Sequence, residues 1–306
     1  MRVLRGGPDT WEVQRGTSLS VGVFDGVHRG HRELLRKAFA GGGVPTVVTF
    51  DPHPVEILAH GISPRLLTTL EERIELFEEI GAELVAVLDL EDVRYLEPGD
   101  FVRSVLVGRL GVSAMTVGSD FHFGRDRAGD VSFLRAFGNE HGVAVNVVSL
   151  VDVADEPISS SRIRDLVEVG DVSGAAAMLG SRFRITNTVV DGDKRGRAIG
   201  FPTANLRPVD RKCLPADGVY ATMVAVRGVS LPAATNVGIR PTFGGGQRLI
   251  EAHILGFDED IYGEEVTVEF VERLRPELKF ESVDQLVARM TEDVADTRNI
   301  LSSFRG

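Results

Sequence analysis

One cysteine, Cys213, in 306 residues leaves no room for an intrachain disulfide or a cysteine-based zinc cluster, so both the fold and its chemistry rest on other side chains. The chain also lacks an apolar N-terminal h-region and any apolar run of bilayer-spanning length, which reads as a cytoplasmic protein without a membrane partner. Basic excess is missing too. The formal charge is −11, with residues 1–180 carrying 17 Lys and Arg against 27 Asp and Glu, and residues 181–306 carrying 17 against 18. Neither half offers the cationic surface that non-specific nucleic-acid binding needs, so nucleic acid is not an expected partner. Any anionic ligand has to be met by local donors rather than by a global field. No internal repeat or low-complexity tract interrupts the sequence.

What is there is a chain of 306 residues with 43% hydrophobic content, enough for one large core or two medium ones. Up to about residue 180, short apolar runs alternate with amphipathic stretches, the pattern of an α/β parallel sheet wrapped by helices. Strands are expected at Leu19–Phe24, Pro45–Phe50, Leu84–Leu88, Ala114–Val117 and Val143–Val148. The clearest helix is Leu70–Ile80, where Leu70, Ile74, Phe77 and Ile80 recur near the 3.6 period. Beyond Gly180 the rhythm changes. Phe183–Val190, Val219–Val226, Leu249–Leu255 and Val266–Val271 read as strands joined by Gly/Pro/Asp turns, which suits an antiparallel barrel or sandwich. A last helix from Val283 to about Leu301 carries Val283, Leu286, Val287, Met290, Val294 and Ile300 on one stripe. The change of rhythm near Met178–Arg182 divides the chain into domains 1–180 and 181–306.

The most informative segment is SVGVFDGVHRGH, Ser20–His31. A buried strand runs into a chain reversal at Asp25-Gly26, and Leu34, Leu35 and Ala38 mark a helix beginning near Gly30. His28 and His31 then sit at or just before a helix N-terminus, where free N–H groups and the dipole favour an anion. Imidazoles at i and i+3 face the same way, and both can donate to phosphate oxygens. Such a pair also fits a surface coincidence or half of a metal site, although the flanking residues supply no third ligand.

Open parallel sheets bind ligands at the carboxyl ends of their strands, and three further segments suit that place. VVTFDPHP (Val47–Pro54) ends a strand in a stiff turn containing Asp51. VGSDFHFGRDRAGD (Val117–Asp130) sets Phe121 and Phe123 beside glycine, a slot for a flat ring or plain core packing. ISSSRIRDL (Ile158–Leu166) puts three serines, Ser160 among them, ahead of a helix as N-cap candidates, with Arg162 and Arg164 in the first turn. A cation there opposes the helix dipole unless an anion lies nearby.

In the second half, VDGDKRGRAIGFPTANL (Val190–Leu206) is a basic loop with glycines at 192, 196 and 200, able to bring backbone amides to a phosphate. Thr203 and Asn205, two residues apart in an extended segment, offer oxygens to one side, hard ligands suited to Mg²⁺. Glu251 opens a strand-like run in which Glu251, His253 and Leu255 share a face. On its own it reads as an exposed edge-strand glutamate. Arg275, in LRPELKF, reads alone as a surface ion pair with a nearby glutamate.

The ordered motifs HxGH, TFDPHP, VGxDFxFG and ISSSxIR, followed by PTAN, PADGVY, TNVGIRPTF and EAHIL, resemble the prokaryotic bifunctional riboflavin kinase/FMN adenylyltransferase (FAD synthetase) family over nearly the whole chain. The resemblance implies a Rossmann-like nucleotidyltransferase domain followed by a β-barrel riboflavin kinase domain with a terminal helix. It implies that riboflavin is phosphorylated by ATP to FMN in the second domain, and FMN adenylylated to FAD in the first with release of pyrophosphate. Implied for the first domain are His28 and His31 as catalytic and ATP-binding residues, Gly22, Phe24, Ser160 and Arg164 at ATP, and Asp51, Asp120, Phe121 and Phe123 at the flavin. Implied for the second are Glu251 as catalytic base, Gly192, Gly196, Thr203 and Asn205 at ATP, Thr203 and Asn205 at Mg²⁺, and Asn236 and Arg275 at the flavin. A monomer or transient homo-oligomer is expected. Two rivals are a single-activity enzyme with one decayed module and a non-catalytic flavin sensor. The presence of His28, His31, Thr203, Asn205 and Glu251 together counts against both.

Overall fold

Strands with unbroken apolar runs are buried on both faces, and the first half of the chain builds its sheet from such runs. The computed structural model describes residues 1–58, 64–149, 152–153, 156–192, 196, 199–207, 210–240 and 247–302. They form two compact units, Met1–Ser160 and Ser161–Gly306. In the first, β1 (Arg2–Leu4), β2 (Thr17–Val21), β3 (Val44–Phe50), β4 (Leu84–Leu88), β5 (Val112–Gly118) and β6 (Ala144–Val148) form one sheet in the order β1-β4-β3-β2-β5-β6. Every pairing in it is parallel. Its helices are α1 (Arg29–Phe39), α2 (Pro54–Leu58), α3 (Leu70–Ile80), α4 (Leu90–Val93), α5 (Pro98–Asp100) and α6 (Val131–His141), and a π-helical segment spans Phe101–Val107. A short antiparallel ribbon, β7 (Asp152–Val153) with β8 (Glu156–Pro157), follows the sheet.

Neighbouring residues of the central strands go to opposite faces. Val47, Val85 and Val87 pack with Leu35 of α1 and Phe77 of α3, whereas Leu19, Val48, Leu88 and Val117 pack with Phe101, Val105 and Leu134. Helices therefore cover both faces, as the alternating rhythm predicts. The strand order reverses at β2, which lies between β3 and β5. That is the switch point where an open parallel sheet leaves a crevice.

Two sequence expectations need correction here. The strand expected to end at Phe24 stops at Val21. Gly22 N–H still donates to Val48 O at 3.0 Å, but Phe24 turns left-handed (φ 56°) and its ring folds back over Gly22, where a Cβ would lie only 2.9 Å away. The three-residue β1 is too short to show a period, and it went unseen.

A buried arginine fastens the strand ends. Arg73 of α3, only 1% exposed, donates through Nη1 to Val23 O at 2.8 Å and to Phe50 O and Thr49 Oγ1 at 3.3 Å. It also lies 3.7 Å from the half-exposed carboxylate of Asp51.

The second unit takes in α7 (Ser160–Val169) from Ser161 onward, α8 (Val172–Leu179), a closed antiparallel barrel and the terminal helix α9 (Val283–Ser302). The barrel strands are β9 (Phe183–Val190), β10 (Ala204–Leu206), β11 (Gly218–Val226), β12 (Val229–Arg240), β13 (Gln247–Ile254) and β14 (Glu265–Pro276). They close in the order β10-β13-β12-β11-β14-β9, so the barrel alternative holds and the sandwich does not. β10 and β12 were read as motifs rather than strands. On the barrel's outer face Ala221 and Val271 pack with Leu301 of α9. Val283, expected on the apolar stripe of this helix, is 59% exposed, and two of the most buried positions belong to Asp293 and Thr297.

Replacing Arg73 by Met leaves the Val23 and Phe50 carbonyls without their donor, and we expect the first unit to lose about 2–4 kcal/mol in urea unfolding. Asp51→Asn, which weakens only a half-exposed pair, should cost less than about 1 kcal/mol. Equal losses would contradict this account of the strand ends.

Candidate functional site

The segments that follow β2, β3, β5 and β6 bound one cleft of about 910 Å³ in the first unit. Among its lining residues are Gly22, Phe24, His28, His31, Asp120 and Phe121, together with Phe123 and Ser160. Asp51 is not among them; its side chain turns to Arg73. Arg164 belongs to the second unit, where its Nη1 donates to Ser161 Oγ at 3.3 Å. Because α7 begins at Ser160, Arg162 falls in its first turn and Arg164 opens the next.

His28 is the N-cap of α1, and its Nδ1 accepts the backbone N–H of His31 at 3.3 Å. The two rings stack with centroids 3.5 Å apart, and the edge of Phe24 closes on His31 at 5.2 Å. Burial pushes the His28 pKa down to about 4, against a smaller opposing pull from Asp25. Burial, and then His28 itself, hold His31 well below its usual value of 6.5. Both rings are therefore neutral at pH 7. With Nδ1 of His28 accepting, its proton sits on Nε2, a donor left for a ligand. Nδ1 of His31 is buried without a hydrogen-bond partner among the described residues. Neutral donors at a helix N-terminus suit a phosphate, whose own charge then draws the imidazoles toward their protonated forms.

The chain reversal before the histidines is tied down by a carboxylate that reads in the sequence only as part of a turn. Asp25, 2% exposed, accepts the N–H groups of Leu67 and Thr68 at 3.0 Å each. Its own carbonyl takes the Ser160 hydroxyl at 2.9 Å. Ser160 thus joins the histidine turn by a backbone contact rather than as a free cap. On the opposite wall Phe123 is core, 8% exposed and stacked on Phe121 at 5.5 Å. The half-buried Phe121 is the ring better placed to receive a flat ligand.

The second unit holds a cleft of about 420 Å³ between the outer face of the barrel and α9. Register explains its composition. Asn205 of β10 is opposite Glu251 of β13, Glu251 opposite Asn236 of β12, Asn236 opposite Val219 of β11, and Val219 opposite Arg275 of β14. One cross-strand row thus carries Asn205, Glu251, Asn236 and Arg275, residues scattered over seventy positions of sequence. Glu251 is half-buried in the middle of a closed barrel, which overturns its reading as an edge-strand glutamate. His253 shares its face, but Leu255 lies past the end of β13 and is buried, its N–H donating to Pro232 O at 2.8 Å.

Asn205 is 5% exposed, and its Nδ2 donates to Thr203 O at 3.3 Å. A Cβ on Gly192 would fall 2.3 Å from that amide nitrogen and 2.9 Å from Oδ1, so the bare backbone of Gly192 is what admits the Asn205 amide. Gly196 closes a turn by accepting the Phe201 N–H at 2.8 Å. Asp193–Arg195, Arg197 and Ala198 of this loop, and Pro241–Phe243 of the TNVGIRPTF motif, lie outside the described residues. Arg275 is paired, though not with a surface glutamate: Asp293 of α9 receives its Nε and Nη2 at 2.9 and 2.8 Å. Asp293 went unnoticed in the sequence, yet it stands three residues after Met290 and seven after Leu286, the spacing of the helix's inner stripe.

A family model described as FAD synthetase matches residues 10–162, and one described as riboflavin kinase matches 179–301. Bifunctional riboflavin kinase/FMN adenylyltransferases from Pseudomonas fluorescens and Escherichia coli K12 are each 36% identical, over 97% of this chain and 97% of theirs. The Bacillus subtilis protein of the same description is 33% identical over 96% of this chain and 95% of its own. A crystal structure from Streptococcus pneumoniae described as a macrolide-efflux protein superposes with a TM-score of 0.88 at 32% identity, covering 97% of this chain and 99% of that one. No described helix here is long and apolar enough to cross a membrane.

The depressed histidine pKa has a measurable consequence. Unfolding lets His28 take up a proton below pH 6.5 that the folded site refuses until about pH 4, so stability falls as the pH drops through that window. Between pH 7 and pH 4.5 the native first unit should lose about 2–3 kcal/mol more than His28→Asn, which keeps an N-cap acceptor. Parallel losses in urea titrations at the two pH values would refute the buried, neutral assignment.

Proposed function

Because the chain belongs to the bifunctional riboflavin kinase/FMN adenylyltransferase family, it phosphorylates riboflavin to FMN and adenylylates FMN to FAD, and we propose that the two steps run at the two clefts described above. The observation that carries the kinase assignment is the cross-strand row. It puts a carboxylate, Glu251, between two side-chain amides and on the same line as an arginine.

In the kinase cleft Glu251 accepts the proton of the riboflavin 5′-hydroxyl as that oxygen attacks the γ-phosphorus of ATP. Asn236 and Arg275 hold the flavin, and the loop carrying Gly192 and Gly196 approaches the nucleotide phosphates. Thr203 and Asn205 suit Mg²⁺: both offer neutral oxygens, and the space over Gly192 keeps the Asn205 amide in place. Bound there, the ion would neutralise phosphate charge. Thr203 and Asn205 would hold it together with nucleotide oxygens rather than in an all-protein cage, in keeping with the lack of a cluster of three or more acidic, histidine or cysteine ligands among the described residues.

In the first unit a phosphate oxygen of FMN attacks the α-phosphorus of ATP, and pyrophosphate leaves. No covalent help from the protein is required, so positioning and charge stabilisation dominate. The His28 Nε2–H and the His31 ring stabilise the α-phosphoryl group. Gly22 and Phe24 shape the floor under ATP, and Ser160 secures the turn through Asp25. Asp120, Phe121 and Phe123 form the flavin wall, with Asp51 acting through Arg73 and the strand ends. ATP as co-substrate of both steps fits a cytoplasmic location. Each cleft draws its described lining from one unit of one chain, so a monomer suffices.

We expect Glu251→Gln to lower FMN formation by roughly 10²–10⁴-fold, the range of a lost general base, while conversion of supplied FMN to FAD is untouched. The double variant His28→Asn/His31→Asn should do the reverse. Chromatographic separation of flavins after incubation with ATP and Mg²⁺ reads both, and loss of both activities from either change would contradict separate sites. Thr203→Ala should raise the Mg²⁺ concentration needed for half-maximal kinase activity and leave that of the adenylyl transfer unchanged.

A further inference from the structure

The cross-strand row ends in Arg275, whose guanidinium is held on three sides. Nε and Nη2 donate to the Asp293 carboxylate at 2.9 and 2.8 Å, Nη1 donates to Pro276 O at 3.0 Å, and the Phe280 ring lies 5.9 Å from the guanidinium carbon. Asp293 is 3% exposed and sits on the buried stripe of α9. A carboxylate there costs desolvation energy that an apolar residue of similar size would avoid. Arg289, one helical turn earlier, brings its Nε to 3.2 Å from Asp293 Oδ1, so two guanidinium groups share the one carboxylate.

Packing alone does not ask for such a group. Ala221, Val271 and Leu301 already join the helix to the barrel through apolar contact. The ion pair lies elsewhere on the helix, where Arg275 and Asp293 both line the cleft that holds Glu251 and Asn236. A bidentate pair removes the freedom of a long side chain and leaves one N–H on each of Nη1 and Nη2 for a ligand. Without the carboxylate the guanidinium would have to be ordered each time substrate bound.

We propose that Asp293 is a positioning residue for riboflavin phosphorylation: it fixes the Arg275 guanidinium in the orientation that meets acceptor atoms of the flavin, making the seating of α9 on the barrel a condition of flavin binding. The inference rests on the kinase assignment of the row. Asp293 touches no substrate itself and acts through Arg275.

Steady-state kinetics of riboflavin phosphorylation on the full chain test it. Asp293→Asn should raise the riboflavin KM about tenfold, the scale of a lost charge-assisted hydrogen bond, with kcat within about twofold and the KM for ATP unchanged. In an Arg275→Lys background, which abolishes the bidentate grip, the same substitution should change the riboflavin KM by less than about twofold. An unchanged riboflavin KM in Asp293→Asn, or additive effects in the double variant, would overturn the proposal. Should Asp293→Asn unfold the second unit, Asp293→Glu, which keeps the charge but displaces the carboxylate from the Arg275 guanidinium, decides the matter. A folded Asp293→Glu protein with a raised riboflavin KM supports positioning, and one with a wild-type KM overturns it. Glu251→Gln separates the two levels. If it retains FMN formation, the row is not the kinase site and this inference falls with it, whereas its inactivity alongside a wild-type KM in Asp293→Asn rejects the positioning role alone.

Discussion

Closure of the β-barrel is the constraint on which the proposed kinase site depends. In a closed antiparallel barrel every strand has two neighbours, so the register of each pairing fixes the register of the next around the ring. Asn205, Glu251, Asn236, Val219 and Arg275 fall on one such line. A one-residue slip in any of those pairings would turn part of the row from the outer face into the apolar interior occupied by Ile250, Ala252, Thr235 and Val237. The polar row is therefore a consequence of the same alternation that fills the core. The terminal helix covers the outer face beside it, turning an exposed stripe into a cleft.

The first unit solves the problem of placement differently. Parallel strands all deliver their carboxyl ends to one edge, and the reversal of order at β2 opens the crevice. Loops alone would leave the histidine turn loose. Arg73 fastens the ends of β2 and β3, Asp25 fastens the turn to residues 67 and 68, and Ser160 adds a third attachment. Buried charge is thereby invested in the scaffold, while the two imidazoles that line the cleft are neutral at pH 7. As the proposed nucleotide site, the cleft thus avoids burying uncompensated cations.

Much of this was legible in the sequence, for reasons that differ between elements. Long periodic runs such as Leu70–Ile80 and Phe183–Val190 announce themselves, because a buried face repeats enough times to show its period. β1 and β10, at three residues each, offer no period. The histidine pair and PTAN carry their chemistry locally and could be read as motifs. Glu251 stands out only through the EAHIL motif; alone it looks like an edge-strand glutamate, since its surroundings come from β10 and β12, far away in the chain, and only the closed register shows that no edge exists there. Asp25, Arg73 and Asp293 were missed for a related reason: a buried charge looks like a solvated one until its partners are known. For Asp293 the helical spacing from Leu286 and Met290 was a signal, obscured by the expectation that an inner stripe is apolar.

The central claim is that two complete sites, one in each unit, carry successive reactions with FMN as the shared intermediate. Its most direct test mixes two variants that each lack one activity: the Glu251→Gln protein and the His28→Asn/His31→Asn protein, incubated together with riboflavin, ATP and Mg²⁺. Alone, the first should yield neither FMN nor FAD, and the second should stop at FMN. Together they should accumulate FAD after a lag in which FMN rises and then falls. A mixture that yields no FAD, although each protein retains its remaining activity when assayed singly, would contradict the account.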